Sequence, residues 1–214
     1  MNKLNTCSPV YYLNTKHIID GVASDSQYGI LYNNPTFGEV SVFENKEWAA
    51  NVAELLQDSV KRVLLSKREC SVMLTGGRSA KLLYEFWAKL IDPELPAVDF
   101  FYGDERCVSS EHEDSNHRQV VNTLFCEGVP RKCNVYCMDT NKSPHRYEEL
   151  LPDSIDILLL SVGDDGHVAS LFPYDNALKE MQKKVVTVSS RAHQYQRMTI
   201  TPLVIKTAKS IFIL

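Results

Sequence analysis

LSVGDDGHVASLFP, residues 160–173, begins where a run without a polar face, Ile155-Asp156-Ile157-Leu158-Leu159-Leu160, comes to its end. Such a run reads as a strand buried on both sides, the kind found in parallel sheets covered by helices. The character then changes within a few residues. Gly163 and Gly166 bracket Asp164 and Asp165, and His167 follows. Glycines let the chain turn sharply and bring backbone close to a ligand. A carboxylate two or three positions before a histidine can orient the ring, fix its tautomer and raise its basicity, and Asp164 and Asp165 both qualify. In open α/β sheets ligands bind beyond the carboxyl ends of the strands, which is where this loop falls. The competing reading is a solvated turn with a helix cap.

The other segments fit the same frame. A helical pattern starts near Asn45, a plausible cap, with Trp48, Val52, Leu55, Leu56, Val60, Val63 and Leu64 at three- and four-residue steps. Ser71–Thr75 is a short apolar run that ends in Gly76-Gly77-Arg78-Ser79, and a helical stretch to Ile91 follows. Strand, glycine turn and helix start together form an anion trap, because free N–H groups and the helix dipole favour a phosphate there. Ser79 adds a hydroxyl and Arg78 a charge. The turn is neither GxxxxGK[ST] nor GxGxxG, so on its own it also fits a plain βα connection.

Val98–Tyr102 predicts a strand ending in Gly103-Asp104-Glu105-Arg106, which is either a functional site or a salt-bridged rim. After a polar loop, Ser115-Asn116-His117-Arg118 opens a helix to Phe125; Ser-Asn there is first a capping signal, and His117 and Arg118 read as exposed first-turn residues. Asn134–Met138 predicts a strand, and Ser143-Pro144 opens a helix to Leu150. Val185–Val188 and Arg197–Thr201 are further β-branched runs, with a helix from Pro202 to Ala208 and a last strand from Ser210 to Leu214. Strands alternating with helices predict a doubly wound, mainly parallel α/β sheet with helices on both faces, in a single domain over 39–214. Residues 1–38 are polar and tyrosine-rich, with a turn at Asn33-Asn34-Pro35, and read as an extension of unknown role.

Composition narrows the function. At 214 residues and 44% hydrophobic, the chain suffices for one sizeable core. Its net charge of −4 and pI near 5.9 argue against general nucleic-acid binding. The N-terminus lacks the apolar core of a signal peptide and no run approaches membrane-spanning length, so a cytoplasmic protein that does not engage membranes is expected. In that setting the six cysteines (Cys7, Cys70, Cys107, Cys126, Cys133 and Cys137) read as reduced thiols. Cys126, Cys133 and Cys137 lack paired CxxC spacing, so no metal site is expected.

GDDGHVASLFP resembles the signature of the 6-phosphogluconolactonases, a branch of a group that also holds the glucosamine-6-phosphate deaminases. Deaminases continue after the histidine with Phe-Asn-Glu-Pro, whose glutamate serves ring opening; here Ser170-Leu171-Phe172-Pro173 carries no carboxylate, which fits the lactonase branch. Ser161 departs from the usual glycine. Gly76-Gly77-Arg78-Ser79 resembles that family's phosphate turn, Asp104-Glu105-Arg106 its acidic-basic motif, Ser115-Asn116 its pocket-side helix start, and Arg-x-Thr-x-Thr from Arg197 its phosphate-completing strand.

The resemblance implies hydrolysis of 6-phospho-D-glucono-1,5-lactone to 6-phospho-D-gluconate in the pentose phosphate pathway. His167 would be the general base, oriented by Asp165 or Asp164. Arg106 would stabilise the oxyanion, and Asp104 would orient that arginine or a sugar hydroxyl. Gly76, Gly77, Arg78, Ser79 and Arg197 would hold the phosphate and Asn116 would contact substrate. No metal or organic cofactor is required, and the partner is a small phosphosugar lactone bound by a monomer or small homo-oligomer. The rival readings are a glucosamine-6-phosphate deaminase or isomerase and a non-catalytic sugar-phosphate-binding protein. A serine hydrolase is a further one; Ser170 is close to His167 in sequence, but no G-x-S-x-G elbow is present. Related lactonases continue with a loop and helix beyond the strand that ends at Leu214, so the apolar Ile211-Phe212-Ile213-Leu214 is expected to need cover from elsewhere.

Overall fold

Apolar runs that the sequence leaves without a polar face become the buried strands of one central sheet. The computed structural model describes residues 47–189 and 194–214 throughout and, before them, the backbone of four strands. These are β1 (Val10–Leu13), β2 (Ser24–Ser26), β3 (Gly29–Asn34) and β4 (Gly38–Val42). The parallel part of the sheet is built from β5 (Cys70–Leu74), β6 (Val98–Tyr102), β8 (Asn134–Val135), β9 (Ile157–Leu160) and β12 (Ser210–Ile213). Among the described residues the order is β2-β3-β4-β1-β12-β9-β5-β6-β8. Every neighbouring pair from β12 to β8 is parallel. The pairs on the β1–β4 side are antiparallel.

All residues of β5 and β9 are buried, as strands covered on both faces require. The alternation along β6 shows the two layers. Phe100 meets Trp87 and Phe125 edge-on at 6.1 and 5.1 Å between ring centroids, while the next residue, Phe101, stacks on Tyr136 at 4.8 Å. The helices are α1 (Trp48–Lys67), α2 (Arg78–Trp87), α3 (Asn116–Thr123), α4 (Pro144–Glu148) and α5 (Pro202–Thr207). Trp87 of α2 donates its indole N–H to Gln57 of α1 at 2.8 Å, which satisfies two buried polar groups where these helices meet. This is the mainly parallel, helix-covered α/β sheet that the alternation predicts.

A second, three-stranded sheet was not legible as such. β7 (Asp104–Arg106), β10 (Val185–Val188) and β11 (Arg197–Ile200) pair antiparallel in the order β10-β11-β7. Its register sets Arg197 opposite Arg106 and Thr199 opposite Asp104, joining segments some 90 residues apart. The charged stretch after β6 is thus a strand rather than a loop.

Element ends shift by a few residues. The α1 helix begins at Trp48 after Glu47, which makes no side-chain cap bond, and the cap expected at Asn45 lies outside the described residues. The helix expected to reach Ile91 ends at Trp87, and the strand expected to reach Met138 ends at Val135. Asn33 and Asn34 are not turn residues but the last of β3, paired with Glu39 and Gly38; Pro35 lies outside the described residues. Residues 1–38, read as an unpatterned extension, contain three strands of the sheet, and β1 pairs with β12. That pairing makes β12 an interior strand. Ile211 and Phe212 are buried and Ile213 and Leu214 partly so. No helix among the described residues is long and apolar enough to cross a membrane.

Asp156, the residue before β9, stands inside the apolar run, and the sequence offered no account of it. It is 1% exposed and accepts bonds from the Ser71 N–H at 2.8 Å and the Ser71 hydroxyl at 2.9 Å. The Lys67 ammonium lies at 2.7 Å and that of Lys209 at 3.1 Å. Burial pushes this carboxyl up, but those ammonium and Ser71 contacts outweigh it and hold it below the ordinary carboxylate value. The cluster ties the start of β9 to the end of α1, the start of β5 and the residue before β12.

Candidate active site

At the carboxyl ends of β5, β6 and β9 the chain leaves the sheet, and there a cavity of about 720 Å³ opens. The residues expected from the sequence to form the site line it: Gly76, Gly77, Arg78, Ser79, Asp104, Arg106, Asn116, Asp165 and its alternative Asp164, His167 and Arg197. Ser161 and Leu214 also reach it.

The end of β5 is pinned by Tyr84 of α2, whose hydroxyl accepts from the Thr75 N–H at 3.0 Å and donates to the Thr75 carbonyl at 2.8 Å. One side chain therefore completes the strand where the ladder stops, and the turn that follows has a fixed start. A Cβ on Gly76 would fall 1.9 Å from Asn116 Oδ1, and Gly77 holds φ +100°, a conformation that favours glycine. The turn hence packs against the first residue of α3 and delivers Arg78 and Ser79 to the N-terminus of α2 at the cavity edge. Ser161, where a glycine is usual in the resemblance, donates to the Gly76 carbonyl at 3.0 Å and so braces the turn.

The β6 end is held the same way. Tyr147 accepts from the Tyr102 N–H at 2.6 Å and donates to the Tyr102 carbonyl at 3.1 Å. Beyond it, Glu105 is the residue the sequence reading passed over. It is 5% exposed and accepts from the backbone N–H groups of Arg106, Asn116 and His117, each at 2.8 Å, and from the Ser115 hydroxyl at 3.1 Å. A buried carboxylate thus caps α3 and welds it to β7, placing Asp104, Arg106 and Asn116 together. Burial pushes the Glu105 carboxyl up; the three N–H groups oppose this and Asp104 adds to it, leaving it raised. The available signal was the Asp104-Glu105-Arg106 run followed by a Ser-Asn helix start whose N–H groups need an acceptor. Ser115 is the helix cap as read, accepting from the Arg118 N–H. Arg118 is exposed as expected, but His117 is half-buried, with Nδ1 2.9 Å from the Tyr102 hydroxyl.

Asn116 Nδ2 donates to both the carbonyl and Oδ1 of Asp104, at 2.9 and 3.0 Å. Asp104 Oδ2 receives the Ser170 hydroxyl at 2.5 Å and faces Arg197 Nη1 at 3.7 Å. Asp104 therefore lies against Arg197, whereas the neighbouring Arg106 donates Nη1 to the Asp114 carbonyl at 2.6 Å. Arg197 sits over the Phe172 ring, 5.7 Å from its centroid. Burial and the Arg106 guanidinium push Arg197 down, while Asp104 and Glu105 resist this. Arginine nonetheless remains cationic at neutral pH, so two guanidinium groups from paired residues of β7 and β11 line one cavity. That is a concentration of positive charge suited to an anionic ligand.

Of the two aspartates left open by sequence, Asp165 is the one on the ring. Its Oδ1 contacts His167 Nδ1 and also receives the His167 backbone N–H at 3.3 Å. A carboxylate on Nδ1 favours the tautomer that carries its proton on that nitrogen. The loop is tight: the Gly163 N–H donates to the His167 carbonyl at 2.8 Å, and a Cβ on Gly163 would stand 2.2 Å from His167 Cε1. The His167 ring also rests against Phe172, with centroids 5.0 Å apart.

Comparison with known proteins identifies the family. Residues 44–214 match the family described as glucosamine-6-phosphate isomerases/6-phosphogluconolactonase. A 6-phosphogluconolactonase of Synechocystis is 31% identical over 170 residues, covering 72% of this chain and 70% of that protein. One of Thermotoga maritima is 32% identical over 138 residues, covering 60% of this chain and 61% of the relative. The crystal structure of 6-phosphogluconolactonase from Thermotoga maritima superposes with a TM-score of 0.66 at 27% identity, covering 76% of this chain and 77% of that one. A matched region running from the start of α1 to Leu214, with the site inside it, means that this chain belongs to the glucosamine-6-phosphate isomerase/6-phosphogluconolactonase family.

Proposed function

We propose that this protein hydrolyses 6-phospho-D-glucono-1,5-lactone to 6-phospho-D-gluconate, a step of the pentose phosphate pathway. The observation that carries the reading is the Asp165–His167 pair opening on the same cavity as the Gly76–Ser79 turn and the two arginines. A lactone needs an activated water, a positive group for the carbonyl oxygen and a hold on the phosphate, and each has a candidate here. His167 Nε2 takes a proton from water as the water oxygen bonds to the lactone carbonyl carbon. The carbonyl oxygen becomes an oxyanion facing Arg106. Collapse of this intermediate breaks the bond to the ring oxygen, which takes the proton back from the imidazolium. The released acid then ionises to the carboxylate. Asp165 keeps the ring in the working tautomer throughout and offsets the charge on imidazolium.

The phosphate lies at the Gly76–Ser79 turn, where the N-terminal N–H groups of α2, the Ser79 hydroxyl and Arg78 converge, with Arg197 supplying further positive charge. Asn116 borders the same space and contacts a sugar hydroxyl. The deaminase reading wants a carboxylate just after the histidine. Ser170-Leu171-Phe172-Pro173 brings instead a buried hydroxyl and an aromatic ring. The test is His167→Ala with acid release followed from fresh lactone: turnover drops about a hundredfold or more while the melting curve is kept. Wild-type turnover in a folded variant refutes the assignment of the base.

A further inference from the structure

We propose that Ser170 is a positioning residue that couples the His167 loop to Arg197 and thereby sets the preference for phosphorylated substrate; the identity of that substrate rests on the lactonase reading above. Ser170 is wholly buried, so no substrate atom reaches its hydroxyl, and the hydroxyl proton is directed at Asp104 Oδ2, 2.5 Å away. A nucleophile needs neither feature. The same Oγ lies 3.5 Å from Arg197 Nη1, and the same Asp104 oxygen lies 3.7 Å from it. The serine backbone is fixed as well, because its N–H donates to Thr199 Oγ1 on β11 at 3.1 Å. Ala169, just before it, holds φ +50°, which turns the chain inward from the His167 loop. One residue therefore touches both strands that carry the arginines, from within the loop that carries the base.

The consequence concerns charge. Asp104 Oδ1 is engaged by Asn116, so Oδ2 is the oxygen free to attract Arg197. The Ser170 hydroxyl occupies that oxygen at short range, so the Arg197–Asp104 ion pair stays long, at 3.7 Å, and part of the guanidinium charge remains available to the cavity. Without the hydroxyl, Arg197 closes onto the carboxylate and its charge is neutralised internally. This predicts that losing Ser170 imitates losing Arg197, although Ser170 never meets substrate.

The test is Ser170→Ala assayed on 6-phosphogluconolactone and on unphosphorylated gluconolactone, with calorimetric binding of 6-phosphogluconate. For the phosphorylated lactone kcat/KM falls about tenfold, mainly through KM, and Kd for 6-phosphogluconate rises by about the same factor, the scale of one hydrogen bond to a charged group. The unphosphorylated lactone is turned over as before. Ser170→Thr, which keeps the hydroxyl, restores most of the preference, and Ser170→Ala adds little in an Arg197→Gln background because the two act as one unit. Should the alanine variant fail to fold, Thr199→Val removes the acceptor that fixes the serine and must shift the same ratio. Equal losses on both lactones, or wild-type values for both substrates and for binding, overturn the proposal. A wild-type protein that hydrolyses neither lactone refutes the proposed function instead, and the calorimetric comparison still decides the role of Ser170.

Discussion

Replacing Asp156 by alanine separates what holds the sheet together from what the site does. The carboxylate is 1% exposed and receives the Ser71 N–H, the Ser71 hydroxyl and two lysine ammonium groups. The lysine side chains are 36% and 48% exposed, so they return to water at little cost and their pairing is discounted. What remains is a buried Ser71 N–H and hydroxyl left without their acceptor, together with the lost charge-assisted bonds, about 2–4 kcal/mol in all. For a chain of this length that lowers Tm by roughly 5–15 °C. Because the folded carboxyl sits below its unfolded value, its contribution is complete above the unfolded value near pH 4 and is lost as pH falls through the lower folded value. The assay is a paired melting series from pH 8 down to pH 3: the gap between wild type and variant stays constant to about pH 5 and then narrows. Since Asp156 lies just before β9, at the end of the strand opposite the cavity, lactone turnover per folded molecule is unchanged. A gap under about 0.5 kcal/mol, or one that does not narrow in acid, refutes the reasoning.

The site itself gives further expectations. Asp165→Asn keeps the shape beside His167 but not the charge that fixes its tautomer, and kcat falls at least about tenfold with a smaller change in KM, as measured by initial rates; an unchanged kcat removes Asp165 from the mechanism. Arg197→Ala weakens use of the phosphorylated lactone far more than of the plain lactone, checked by the ratio of their kcat/KM values; equal losses make Arg197 a structural residue.

Much of this was legible because it is local. Val98–Tyr102 and Val185–Val188 are strands with the bounds read from their apolar runs, and Gly76-Gly77 marks a turn because its backbone needs glycine there. The loop around His167 announced itself through residue type alone. What was not legible depends on partners far away in sequence. Asp104–Arg106 is a strand only because Arg197–Ile200 pairs with it, and three charged residues carry no strand pattern of their own. Glu105 drew no notice between two candidate site residues, since three of its four partners lie at the start of a helix that begins eleven positions later. Asp156 hid in an apolar run because Lys67, Ser71 and Lys209, which make its burial tolerable, all come from other elements. Asp165 was distinguished from Asp164 by loop geometry alone, as both have suitable spacing from His167.

Hydrolysis of a phosphorylated sugar lactone is the activity proposed for this cavity. It is tested most directly by measuring acid release from freshly made 6-phosphogluconolactone above its spontaneous rate, with ammonia release from glucosamine 6-phosphate followed in parallel on the same preparation. Rapid, enzyme-dependent acid release and no ammonia are expected. Ammonia release without lactone hydrolysis, or no reaction with either substrate by a folded protein, contradicts it.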